Sequence, residues 1–124
     1  MELGHTHHFE RDVPGHAEPV HAEDLRGGRV YFSIQYADEA LQLPIVETLV
    51  FTGTEKDEGG ATICCFQDLT SHQRGIKRGS SEPEGALFYF QHTNQLRHIF
   101  EYSSALDELI RCSSRRQKAG LNSL

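Results

Sequence analysis

The feature that most constrains this chain is a succession of short apolar runs that alternate residue by residue, with helical periodicity confined to the C-terminal end. Side chains switch faces at every residue of a strand but return every three to four residues on a helix. Residues 29–36 show the alternation most clearly. Val30, Phe32, Ile34 and Tyr36 fall on one face and Arg29, Ser33 and Gln35 on the other, with Tyr31 as an aromatic exception on the outer face. Residues 45–52 are richer in β-branched side chains and more continuously apolar, which suits a central strand, and Pro44 stands at its entry, where a missing N–H does little harm. The glycine-bounded polar run 53–60 reads as a hairpin loop. A third strand over 61–67 sends Cys64 and Cys65 to opposite faces.

Residues 86–91 form a fourth strand. Thr93-Asn94 makes a turn without the glycine that favours tight hairpins, and residues 96–102 form a fifth strand with Leu96, His98, Phe100 and Tyr102 on one side. A helix then begins at a Ser103 or Ser104 cap, with Asp107 and Glu108 at its positive end. Leu106, Leu109 and Ile110 supply the buried stripe, and Arg111, Arg115, Arg116 and Lys118 lie toward the negative end before Gly120 stops it. The expected class is therefore α+β, mostly β: a five-stranded antiparallel curved sheet or small barrel, followed by one C-terminal helix. Residues 1–28 read as a flexible, histidine-rich N-terminal arm because Pro14 and Pro19 interrupt a polar stretch without apolar periodicity. Residues 29–120 make the single domain and residues 121–124 a tail.

Charge narrows the partners. The formal net charge is −6, so nucleic acid and anionic lipid are repelled at long range unless a local basic patch receives them. No run approaches the roughly 20 apolar residues of a membrane span, and no membrane partner is expected. Three cysteines, two of them adjacent, do not form a secreted disulfide framework, which points to the cytoplasm. His5, His7 and His8 form a run able to chelate a divalent metal through neutral imidazole nitrogens; no other cofactor is expected.

The long polar stretch 68–84 carries the main candidate site. Arg74, Lys77 and Arg78 concentrate fixed cations between glycines in an acidic protein, a composition suited to carboxylates or phosphates. The spacing is not that of a P-loop. Tyr31 and Tyr89, read as outer-face aromatics, would complete a partner-binding surface with this loop. Cys65, Asp68 and His72 could be imagined as nucleophile, orienter and base, but such sets are defined by geometry in space. The leading expectation is a small non-enzymatic binding or regulatory module that recognises an acidic protein partner through its basic loop. The alternatives are a metal- or pH-responsive protein using the N-terminal histidines, a single-stranded nucleic-acid binder, and a small enzyme.

Overall fold

A computed structural model describes residues 17–79 and 85–120. It contains strands β1 (Val30–Tyr36), β2 (Pro44–Lys56) and β3 (Thr62–Asp68), a short helix α1 (Leu69–Gln73), strands β4 (Phe88–His92) and β5 (Ile99–Phe100), and helix α2 (Tyr102–Lys118). All strand pairs are antiparallel and the order across the sheet is β4-β3-β2-β1-β5. The mostly-β architecture with a C-terminal helix is as expected, and of the two sheet forms it is the open one. A closed barrel is ruled out because β4 and β5 occupy opposite edges.

That separation departs from the expected hairpin order and has a local cause. A tight two-residue hairpin needs backbone in the left-handed region, which glycine adopts readily and threonine does not. After Thr93-Asn94 the chain therefore leaves the β4 edge and crosses one face of the sheet. Leu96 is buried there, and the His98 carbonyl accepts from Ile34 N–H at 2.9 Å. Only Ile99 and Phe100 remain as strand, paired with Ser33 and Phe32 of β1. His98 is buried as its neighbours suggested, although it lies just before the strand.

Both faces of the sheet are covered, which accounts for the aromatic exception in β1. On the first face, Tyr31, Leu49, Phe51, Cys64 and Phe66 pack with Leu25, Leu96 and Ile99. Tyr31 is only 5% exposed and meets Phe66 edge-on with ring centroids 6.5 Å apart. Its expected place on an outer surface is corrected accordingly. On the second face, Ile34, Tyr36 and Phe100 pack with Ala105 and Cys112 of α2, and Phe32 and Leu109 close the margin.

Helix α2 is rotated relative to its apolar stripe. Ala105, Glu108 and Cys112 are buried, whereas Leu106 and Ile110 are 61% and 65% exposed. Of the expected stripe, only Leu109 packs against the core. The polar contacts of Glu108 impose this rotation. One carboxylate oxygen accepts from Ala17 N–H at 3.1 Å; the other accepts from the Tyr36 hydroxyl and, at 3.2 Å, from Arg115 Nη2. Arg115 also donates from Nε to the Leu41 carbonyl at 2.7 Å. Turning Leu106 inward would strip a buried carboxylate of these partners, a larger loss than one leucine's burial supplies.

The described part of the expected N-terminal arm packs on the domain. Ala17 and Leu25 are buried, Val20 N–H donates to the Ile99 carbonyl at 2.9 Å, and Arg26 N–H donates to the Tyr31 hydroxyl at 2.9 Å. The remainder of the arm, 1–16, lies outside the described residues, as does the tail, 121–124.

The packing sets two stability outcomes. Phe66→Ala and Phe100→Ala should each cost about 3–5 kcal/mol, whereas Leu106→Ala and Ile110→Ala should stay within about 0.5 kcal/mol of wild type in denaturant titrations. Large losses at the two helix positions would show the helix turned the other way. A chain beginning at Arg29 should lose at least about 2 kcal/mol, because Leu25 no longer covers the first core and Glu108 loses the Ala17 N–H. Equal midpoints for the shortened and full chains would refute that packing.

Candidate functional site

The best-formed concavity is a cleft of about 360 Å³ on the half of the second face that α2 leaves uncovered. Its floor is β3 and β4, and its roof is the segment after α1. Alternation along the strands decides which side chains reach it. Cys65 pairs with Phe90 and Gln67 with Phe88, so these four share the cleft face. Phe66 pairs with Tyr89, and both rings belong to the opposite core. A register shift between Phe51 and Gly53 leaves Thr52 as an extra residue in β2, and this bulge brings Thr52 to the cleft wall.

The roof is held from below. Buried Gln67 donates from Nε2 to Ser71 Oγ at 2.9 Å and to the Ile76 carbonyl at 2.8 Å. Asp68 caps α1: one carboxylate oxygen accepts from Ser71 N–H at 3.0 Å, and the other accepts from Ser71 Oγ at 2.5 Å and Leu87 N–H at 2.8 Å. Burial works to raise the Asp68 pKa, but the bonds from Leu87 and Ser71 outweigh it and hold the carboxyl below its ordinary value. Gly75, at φ 79°, supplies the left-handed residue that ends α1 and turns the chain over the cleft.

The basic loop takes up three different positions. Arg78 pairs with Glu55 and lies over the Phe90 ring, its guanidinium carbon 5.0 Å from the centroid. Lys77 is exposed at the cleft rim and pairs with no carboxylate among the described residues. Arg74 reaches away toward Gly85, where an added Cβ would lie 3.6 Å from its Nη1. Arg115, on α2, is committed to Glu108 and Tyr36 and adds no cation to this loop.

The expected union of the loop with Tyr31 and Tyr89 is not formed, because both tyrosines lie on the opposite face. Tyr89 donates to Glu47 Oε2 at 2.7 Å, and burial, followed by this bond, pushes its pKa up. The aromatics beside the cations are Phe88 and Phe90, the latter 44% exposed. The signal for them was the unbroken run 88–90: in a strand its outer two members must share a face. Cys65 and His72 do line one cleft, but Asp68 is turned into the helix cap and no hydrogen bond joins Cys65 to His72 among the described residues. Burial pushes the Cys65 thiol up, opposite to an activated nucleophile. His5, His7 and His8 lie outside the described residues. Among the residues described, no group of three or more histidine, cysteine or acidic side chains is placed to hold a metal ion. No helix there is long and apolar enough to cross a membrane.

A second electrostatic feature sits at the far end of β4. His92 Nε2 is 3.0 Å from Asp57 Oδ2, and Gln95 Oε1 approaches Nδ1 at 3.3 Å. The Asp57 bond first, then Gln95, raises the His92 pKa, while His92 and the Ala61 N–H lower that of Asp57. The raised imidazole contributes stability that is lost as pH rises through its folded value. The lowered carboxyl contributes stability that is lost as pH falls through its own. The pair is therefore strongest between the ordinary carboxylate and imidazole ranges, roughly pH 4 to 6.5. An NMR titration should place the His92 pKa above about 6.5, and Asp57→Asn should bring it down. An unchanged value in Asp57→Asn would show that the contact does not persist in solution.

Comparison of the chain with known protein families, curated proteins and solved structures returned no match, so the reading of this site rests on its own geometry.

Proposed function

We propose that this protein is a small non-enzymatic binding module that recognises an acidic protein partner at the cleft between the 74–79 loop and β4. The observation that carries the reading is the placement of Lys77, without a carboxylate partner among the described residues, beside the exposed ring of Phe90 and the half-buried ring of Phe88. A partner carboxylate gains a cation there, while an adjoining apolar side chain gains an aromatic surface. The two contributions differ in size. An exposed ion pair contributes about 0–1 kcal/mol, whereas covering an apolar side chain contributes roughly 1.5–3 kcal/mol. Affinity therefore comes mainly from the rings, and the lysine sets the sign of charge accepted.

The alternatives receive less support. A nucleic-acid backbone would meet Glu55 inside the cleft and a net charge of −6 around it. A thiol nucleophile would need its pKa lowered, and burial moves Cys65 the other way. Three buried, unbridged cysteines suit a cytoplasmic setting.

Peptides selected from a random display library on the full chain should be enriched in Asp and Glu. Phe90→Ala should weaken a selected peptide at least about tenfold by fluorescence anisotropy, about 1.4 kcal/mol or more, and Lys77→Glu, which also adds a repulsion, by about three- to tenfold. Lys118→Glu, at the end of α2, serves as the charge-matched control. Selection without acidic enrichment, or equal losses for Lys77→Glu and Lys118→Glu, would defeat the proposal.

A further inference from the structure

The backbone of β4 bears on how a partner docks. We infer that the acidic partner proposed for the cleft, on whose existence this inference rests, binds as an extended strand added to the outer edge of β4, with a carboxylate and an apolar side chain both on its cleft-facing side. Among the described residues, β4 is the terminal strand of the sheet and pairs only with β3. Asp68 N–H donates to the Leu87 carbonyl at 3.0 Å, which fixes the phase of the antiparallel ladder. Hydrogen-bonded positions alternate from there, so Leu87, Tyr89 and Gln91 direct their peptide groups toward β3, and Phe88 and Phe90 direct theirs outward. No described residue bonds the outward N–H and C=O groups of Phe88 and Phe90. At the opposite edge, the Ile99 carbonyl of β5 is already taken by Val20 N–H.

Edge strands are normally blunted by proline, lysine, an inward charge or a bulge. The sequence of β4, Phe-Tyr-Phe-Gln-His, carries no proline or lysine, and the sheet's register shift lies in the β2–β3 pair instead. What flanks the edge is positive charge. Arg74 reaches Gly85 just ahead of the strand, Arg78 lies over Phe90 within it, and Lys77 stands at the cleft rim between them in sequence. Every second side chain of an added strand would project on the same face as Phe88 and Phe90, where Lys77 and the Glu55-paired Arg78 line the cleft; the intervening ones would project beside Tyr89. Edge-to-edge pairing of two copies is disfavoured by the same cations, which would be brought against their own images. A partner that sets a carboxylate beside Lys77 and an apolar side chain over Phe90 answers both features of that face.

The test uses the full chain and a nine-residue peptide in which every second residue is by turns glutamate and valine, with threonine between them, followed by amide hydrogen exchange. Bound peptide should slow exchange at Phe88 and Phe90 at least tenfold, while Tyr89 and Gln91, already bonded to β3, change little. Phe88→Pro and Phe88→Leu both remove the ring, but only the proline removes the outward donor, without touching the β3 ladder, so Phe88→Pro should weaken binding at least tenfold more than Phe88→Leu. Binding that depends on Lys77 but leaves Phe88 and Phe90 exchange unchanged would overturn strand addition while leaving the acidic-partner reading intact. No binding at all would overturn both. Slowed exchange at these amides with rising protein concentration, without peptide, would assign the edge to a second copy and overturn the inference.

Discussion

Glu108 enters the core fully buried, on a helix whose neighbouring positions offer leucine and isoleucine for the same place. A carboxylate without partners in that setting would cost several kcal/mol, so its position dictates that of everything bonded to it. Ala17 N–H fixes the N-terminal segment against α2, the Tyr36 hydroxyl fixes the end of β1, and Arg115 joins the carboxylate to the Leu41 carbonyl in the β1–β2 turn. Leu41 is the one described non-glycine residue with positive φ, at 58°. A leucine holds that conformation only against strain, and here its buried side chain and its carbonyl's bond to Arg115 retain it. Burial, then the bond to Glu108, pushes the Tyr36 hydroxyl pKa up, so the hydroxyl stays a donor over the range in which the carboxylate is an acceptor.

The arrangement also decides which surface is left for binding. Because Ala105, Glu108 and Cys112 face Ile34, Tyr36 and Phe100, α2 covers the β5–β1 half of its face and no more. The segment from Ala17 to Leu25 is drawn to the same side and across the opposite face. Among the described residues, the β3–β4 half is then roofed by α1 and the loop behind it, a cover too small to bury Phe88 and Phe90 completely. The cleft is thus a consequence of where the helix was pinned. The bulge at Thr52 and the Gln67–Ser71–Ile76 bonds then shape it locally.

The strands were legible because β1 alternates at period two and β2 to β4 are β-branched or aromatic runs between turn residues, and that local signal survives packing. The helix was legible as an element but not in its cap, which is Glu101 rather than Ser103 or Ser104, nor in its facing. Hydrophobicity placed Leu106 and Ile110 inward, and only three-dimensional knowledge of Tyr36 and the Ala17 N–H could have placed Glu108 there instead. Tyr31 was misassigned for a related reason: alternation assumes one wet face, and residues 17–28, though polar in composition, supply enough buried side chains to dry the second. The basic loop was visible as composition. Its aromatic neighbours were not, because choosing Phe88 and Phe90 over Tyr89 requires the register with β3, which no local pattern encodes.

The site's charges act over different distances, and this separates contact from approach. At long range the protein carries −6 and repels an acidic partner, so the loop is poorly suited to electrostatic steering. At contact distance the repulsion is screened beyond about 8–10 Å in physiological salt, and Lys77 and the rings dominate. Arg78 sharpens the selection because Glu55 already neutralises it: an incoming carboxylate must compete with an internal one, and gains little unless it also covers Phe90. Polyanions that bring charge without an apolar surface therefore gain the least. The loop is held by Gln67 and by the Asp68 cap before any partner arrives, so less ordering remains to be done on binding. On the proposed reading, those restraints would favour an acidic segment that also presents apolar side chains over acidity alone.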